Sequence, residues 1–265
     1  MNLMRKLILL LVCSIFSVHA QSSVAEFTED KIKHQGYFSF YHQEKTGKIF
    51  LEINEFNQQF LFQSGLPHGI GSNDIGLDRG QLGDTRLVQF ERIGEKVLLR
   101  QINTYYRANS DNALEKQAIN EAFASSVIWG FKVANTSEDG SRVFIDYTPF
   151  LLSDIHNLAE RLKKSKQGSY KVDASRSALY VQRSKAFPDN TELEATVTFK
   201  GDGKGEFIRT VTPDAKAVTV NLHHSLIKLP DDNYQTRTFH PYSGFWADSY
   251  ADYATDIDES LIQRV

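Results

Sequence analysis

Gly69-Ile70-Gly71-Ser72-Asn73-Asp74-Ile75-Gly76-Leu77-Asp78-Arg79-Gly80-Gln81-Leu82-Gly83 interrupts a chain that otherwise alternates like β-sheet. It holds five glycines, two carboxylates and an arginine, with isolated large apolar residues between them. Glycine tolerates φ > 0 and lets backbone approach another surface closely. Unstructured connections of this length are uncommon inside compact domains and tend to carry function. Two readings stand: an ordered, hydrogen-bonding loop that forms a functional or interface feature, or a long solvated connection. Asn73, Asp74, Asp78, Arg79 and Gln81 are the candidate functional residues within it. The two carboxylates are suited to acid–base work or, with backbone carbonyls, to calcium, although the spacing is not that of an EF-hand. Local bonds that stiffen the loop are the simpler expectation for Asp78 and Arg79.

Working outward, the flanks read as strands. Tyr37–Tyr41 and Lys48–Ile53 form a hairpin across Lys45-Thr46-Gly47, and Gln59–Gln63 leads into the loop. Arg86–Arg92 and Lys96–Ile102 form a second hairpin about Gly94-Glu95, with charges at alternate positions. Val127–Val133 pairs with Arg142–Tyr147 across Glu138-Asp139-Gly140. Ala178–Gln182, Glu192–Phe199 and Ala217–Leu222 complete the strands. Two helices are expected. One spans about 113–123, capped by Asp111 or Asn112. The other opens at Ser153 and buries Leu152, Ile155, Leu158, Ala159 and Leu162 before Gly168. The fold class is α+β: β-rich, mainly antiparallel sheet with hairpins, two helices and one long Gly-rich loop.

Residues 1–20 carry Arg5-Lys6, an apolar run from Leu7 to Phe16 and Val18-His19-Ala20, the pattern of a secretory signal peptide. The expected location is periplasmic or secreted, with no membrane attachment after cleavage. Cys13 is the only cysteine, so the remainder has neither a disulfide nor a thiolate metal site. Removing residues 1–20 takes away Arg5 and Lys6 and no acid, so a net charge of −3 becomes −5. That balance excludes a general nucleic-acid binder, which needs a basic face. Residues 21–35 read as a lead-in, 36–245 as the β-rich domain, and 246–265 as an acidic and aromatic linker. Asp248, Asp252, Asp256, Asp258 and Glu259 lie in that last stretch without a base up to Glu259.

Chemical motifs are sparse. No two of the eight histidines stand one helical turn apart, as a His-Glu-x-x-His zinc helix requires. His223 and His224 are adjacent, so on a strand they face opposite ways, one to the core and one to the surface. Their functional alternative is a supporting or docking role beside a catalytic domain. Ser225-Leu226-Ile227-Lys228 and Lys45-Thr46-Gly47 match fragments of penicillin-recognising enzymes, but the order is reversed and Ser-Asp-Asn is missing. Gly201-Asp202-Gly203-Lys204-Gly205 lacks P-loop spacing and reads as a hairpin tip.

The segment Gly71–Gln81 resembles part of a large family of bacterial exported zinc-dependent metalloproteases of the metzincin-like His-Glu-x-x-His type. Further matches are Ser125–Phe131, Gln167–Ser177, Lys185–Pro188, His223–Ser225, Leu229–Asp232 and Ser249–Thr255. The resemblance implies an N-terminal domain of unknown function, with zinc bound by a downstream domain. No cofactor is expected in this chain itself; zinc is implied for a full-length relative. The implied partner is that downstream metallopeptidase domain, in cis or missing. The sequence closes at Val265 without the zinc helix, in what reads as the middle of an element. The expected function is therefore a non-catalytic N-terminal domain or truncated fragment of an exported zinc-dependent metallopeptidase. The alternative is a free-standing periplasmic binding or adaptor module; a hydrolase using the loop carboxylates is a third reading.

Overall fold

A computed structural model describes residues 22–231, 233–256 and 261–264. The expected signal peptide, and Asp258 and Glu259 of the acidic stretch, lie outside these residues. The strands are β1 (Ile32–His34), β2 (Phe40–Gln43), β3 (Lys48–Ile53), β4 (Gln59–His68), β5 (Gln81–Leu82), β6 (Arg86–Ile93), β7 (Lys96–Gln101) and β8 (Tyr106–Arg107). They continue with β9 (Ser126–Thr136), β10 (Val143–Asp146), β11 (Tyr170–Val172), β12 (Ala178–Leu179), β13 (Lys185–Ala186), β14 (Asn190–Gly201), β15 (Ala217–Lys228), β16 (Asp248–Asp252) and β17 (Leu261–Arg264). The helices are α1 (Val24–Thr28), α2 (Ala113–Ala122), α3 (Thr148–Leu151), α4 (Leu158–Lys164) and α5 (Glu206–Val211).

One antiparallel sheet runs β1-β2-β3-β10-β9-β7-β6-β4-β15-β14-β11, with β12 and β13 also paired to β14, and β5 to β4 at Gly65 and Leu66. The β-rich α+β class expected from alternation is the class observed. The sheet curls. Tyr37 N donates to Phe187 O at 2.7 Å and Phe38 N to Thr191 Oγ1 at 3.0 Å, which brings the chain before β2 against the β13–β14 side. This is why the expected strand at Tyr37 begins only at Phe40: the amides of Tyr37 and Phe38 bond across the curl and not to β3.

The concave side is filled by Phe60, Phe62, Phe90, Phe131, Phe150, Leu193, Val197 and Leu222, all fully or almost fully buried. Aromatic and β-branched residues at every second position supply that face. The supposed lead-in belongs to the fold as well. Phe27 of α1 packs edge-on against Phe50 at 5.2 Å and tilted on Phe144 at 5.3 Å.

The helix expected from Ser153 opens later: α3 closes at Leu151, before Ser153, and α4 starts only at Leu158. Ser153 Oγ turns back to Phe150 O at 2.7 Å, and Asp154 caps α4, accepting from Leu158 N at 2.7 Å and Ala159 N at 2.9 Å. Asn157 at φ 58 occupies the left-handed region just before α4, so the helix cannot run through it. The α2 helix has the expected span and its Asn112 cap, but its Leu114 faces solvent. The connection after Gly201 holds α5 rather than a tight hairpin tip.

The C-terminal stretch also departs from a bare linker. The strands β17-β16-β8 form a small separate sheet in which β16 and β8 are parallel. Tyr106 stacks on Phe123 at 3.7 Å, and buried Asp252 accepts from Asn109 N at 3.1 Å and Nδ2 at 2.8 Å. Among the described residues no helix is long and apolar enough to cross a membrane.

Candidate functional site

The glycine stretch is an ordered loop folded onto the sheet. Ile70, Ile75 and Leu77 are buried and tie it to the core. Ile70 N donates to Leu77 O at 2.8 Å, and Gly80 N to Leu66 O at 2.8 Å. Gly71, Gly76 and Gly80 all have positive φ. Gly69 has a different reason: a Cβ there would overlap the Leu77 carbonyl and the backbone of Asp78 and Arg79. Because the obstacle is backbone, Gly69→Ala is expected to open the loop and make residues 69–83 the first site of limited proteolysis. An unchanged cleavage pattern would show that the closure is not needed.

Within the loop, Asn73 and Asp78 meet. With the Asn73 amide turned to donate, its nitrogen lies 3.1 and 3.2 Å from the Asp78 oxygens. This stiffens the turn, so Asp78 is committed locally. Arg79 is exposed. Asp74 and Gln81 line a cleft of about 620 Å³ between the loop and α4. There Ser64 Oγ lies 3.1 Å from His156 Nδ1. Gly83 N binds Ser64 O at 2.9 Å, and a Cβ on Gly83 would overlap Ser64 Oγ. Burial, then the Arg161 charge, lowers the His156 pKa, while Asp84 pulls it back up.

The loop returns as β5, whose Gln81 and Leu82 border this cleft and a second one of about 530 Å³. The second has His223, Glu192 and Glu194 at its floor. Register brings them together: Glu192 pairs with Ser225 and Glu194 with His223, and alternation aims all four to one face. His223 Nε2 lies 2.6 Å from Glu192 Oε2, and His223 Nδ1 lies 3.2 Å from Glu194 Oε2. Ser225 Oγ and Asn190 Nδ2 each donate to Glu192 at 2.5 Å, and Asn221 Nδ2 donates to Glu194 at 2.8 Å. Both imidazole nitrogens face acceptors, so the doubly protonated ring fits best. Burial alone would lower the His223 pKa; the bonds and charges of Glu192 and Glu194 outweigh it and raise it. Burial likewise pushes Glu192 up, but bonds from His223, Ser225 and Asn190 leave it lowered.

His224 points the other way, as adjacency on a strand requires. It is fully buried among Phe62, Tyr147 and Phe150, with Nδ1 3.2 Å from Tyr147 Oη and Nε2 without a partner. Burial, then the charges of His223 and His156, lowers its pKa to about 3. The folded state refuses a proton that the unfolded chain accepts below its ordinary value. His224 therefore costs stability as pH falls from 6.5 towards 3, at about 1.4 kcal/mol per unit. His224→Leu is expected to gain about 2 kcal/mol on the native protein between pH 7 and pH 5. Denaturant titrations at the two pH values measure it; equal differences would show that His224 titrates normally.

Sequence reasoning set His223 and His224 on opposite faces without saying which faced the core, and missed Glu192 and Glu194 as partners of His223 and the Ser64–His156 pair of the first cleft. The available signals were Glu192-x-Glu194 and His223-x-Ser225, each same-face pairs on a strand. Among the described residues no group of three or more His, Cys, Asp or Glu side chains is arranged to hold a metal ion. In the Glu192–His223–Glu194 cluster the donor atoms are engaged with one another.

No curated protein and no solved structure matches the chain. Residues 21–69 match the model of a domain of unknown function, DUF5118, so the seam between the two matched regions falls in the glycine loop. The seam is not structural: β4, from the first region, lies in the sheet between β6 and β15 of the second. With residues 80–265 matched by its model, the chain belongs to the family described as domain of unknown function DUF5117.

Proposed function

We propose that this chain is the non-catalytic N-terminal portion of an exported zinc-dependent metallopeptidase, and that it packs against a downstream catalytic domain and borders its cleft. The observation that carries the reading is the aromatic surface next to the small sheet. Tyr242 is 93% and Trp246 97% exposed, with Phe245 and Tyr253 also largely in water. Large aromatic side chains left in water within one short stretch of a folded domain mark an interaction surface. The seven sequence blocks that resemble exported zinc metalloproteases add the identity of the partner. The loop that joins the two clefts supplies the border.

The test extends expression past codon 265 to the next stop codon. Zinc-dependent peptide cleavage is expected in the longer protein only, together with slower hydrogen exchange at residues 242–253. Cleavage by the 265-residue chain alone would overturn the non-catalytic role. An extension without His-Glu-x-x-His would overturn the metallopeptidase assignment and leave the binding module, for which the second cleft is the specific support.

A further inference from the structure

The second cleft has a composition that selects a ligand. Leu66 and Pro67 of β4, Leu82 of β5 and Phe187 after β13 form its walls. Leu82 is 72% and Phe187 44% exposed. Gly65 lies between them without a side chain, which deepens the trough. Apolar walls facing each other across a concavity gain by being covered.

The floor does not compete for a ligand's polar groups. Glu192 is satisfied by His223, Ser225 and Asn190, and Glu194 by His223 and Asn221. Its two carboxylates also repel an anion seated deep. The rim has the opposite character. Arg183 and Lys185 line it from an exposed turn and from β13. Arg183 Nη1 stands 4.0 Å from Glu194 Oε2, at the outer limit of an ion pair, so its guanidinium retains donors for a newcomer.

We infer that this trough binds the C-terminal residue of a peptide ending in a large apolar side chain. The side chain lies between Leu82 and Phe187, and the terminal carboxylate meets Arg183 and Lys185. The chemistry required is an apolar body with one carboxylate. The cationic rim at Arg183 and Lys185 lies beside the apolar lining of Leu82 and Phe187, a spacing that suits a carboxylate one residue's reach from its side chain. The inference rests on this cleft alone and does not need the downstream domain.

Isothermal titration of the full chain with N-acetyl-Ala-Ala-Phe, with its C-terminal amide and with decanoate tests it. The free acid is expected to bind about fivefold more tightly than the amide, and decanoate more weakly than either. The double substitution Arg183→Gln and Lys185→Gln should abolish the preference for acid without weakening the amide. Leu82→Ser should weaken both peptides roughly tenfold. All three positions are exposed, so folding is not at stake. Equal affinity for acid and amide would overturn the carboxylate role. No binding at millimolar peptide, or binding indifferent to Leu82→Ser, would overturn the site. Tighter binding of decanoate would overturn the peptide assignment.

Discussion

Replacing His223 with alanine is expected to destabilise the fold by about 3–5 kcal/mol near neutral pH, because it leaves two buried carboxylates facing each other without their cation. Glu194 is almost wholly buried and Glu192 mostly so. Glu192 Oε2 keeps its bond from Ser225 Oγ, but Glu194 Oε2 loses its imidazole N–H and both carboxylates lose the adjacent cation. An exposed ion pair of the same composition would be worth under about 1 kcal/mol. The size of the effect therefore reports burial.

The pH dependence identifies the cause. His223 has a raised pKa, so its contribution is complete below its ordinary value of 6.5 and is lost as pH rises through the folded value. Glu192 has a lowered pKa, so its contribution is present above its ordinary value of 4.5 and is lost as pH falls through the folded value. The cluster is strongest between the two. In His223→Ala the sign reverses on the acid side: with the cation gone, burial favours the protonated acid, and the variant should recover stability as pH falls below neutrality. Denaturant midpoints from pH 5 to 8 read this directly. A uniform offset at every pH would mean that His223 contributes only packing.

That cluster shows where sequence reading stops. Glu192 and Glu194 stood in a recognised strand, the expected strand Ala217–Leu222 stopped one residue short of His223, and the opposite orientations of His223 and His224 followed from period two alone. What was missing was the register of β14 against β15, a non-local quantity that places Glu194 opposite His223. The hairpins at Gly47 and Gly94 were legible because their turns carry glycine at positive φ between alternating runs. The start of the second helix was not, because Leu152 and Ile155 keep helical spacing with Leu158 yet lie between α3 and α4. A cap at Asp154 and a left-handed Asn157 set the start at Leu158. The loop was legible as unusual, but its order depends on Ile70, Ile75 and Leu77 finding the core, which spacing along the loop does not reveal.

Phe150→Ala is the second large effect. Phe150 lies in a four-residue helix that has little stability of its own, and its ring is fully buried. Five rings surround it: His224 at 5.0 Å, Trp129 at 5.3 Å, Tyr147 at 5.4 Å, and Phe62 and Phe131 at 5.6 Å. These come from β4, β9 and β15 and from the turn before α3, so the ring fastens α3 to three separate strands of the sheet. Truncation removes the transfer energy of the ring and leaves a cavity that rigid strands cannot collapse to fill, a loss of about 3–5 kcal/mol. For a chain of this length that corresponds to a fall in melting temperature of roughly 10 °C. The cavity also admits water beside Trp129, so its fluorescence should shift to the red before the unfolding transition begins. Phe150→Leu, which keeps most of the volume, should lose under about 1.5 kcal/mol and leave the emission in place. Equal losses for Ala and Leu would show that the edge-on ring contacts, rather than the filled volume, hold α3 against the sheet.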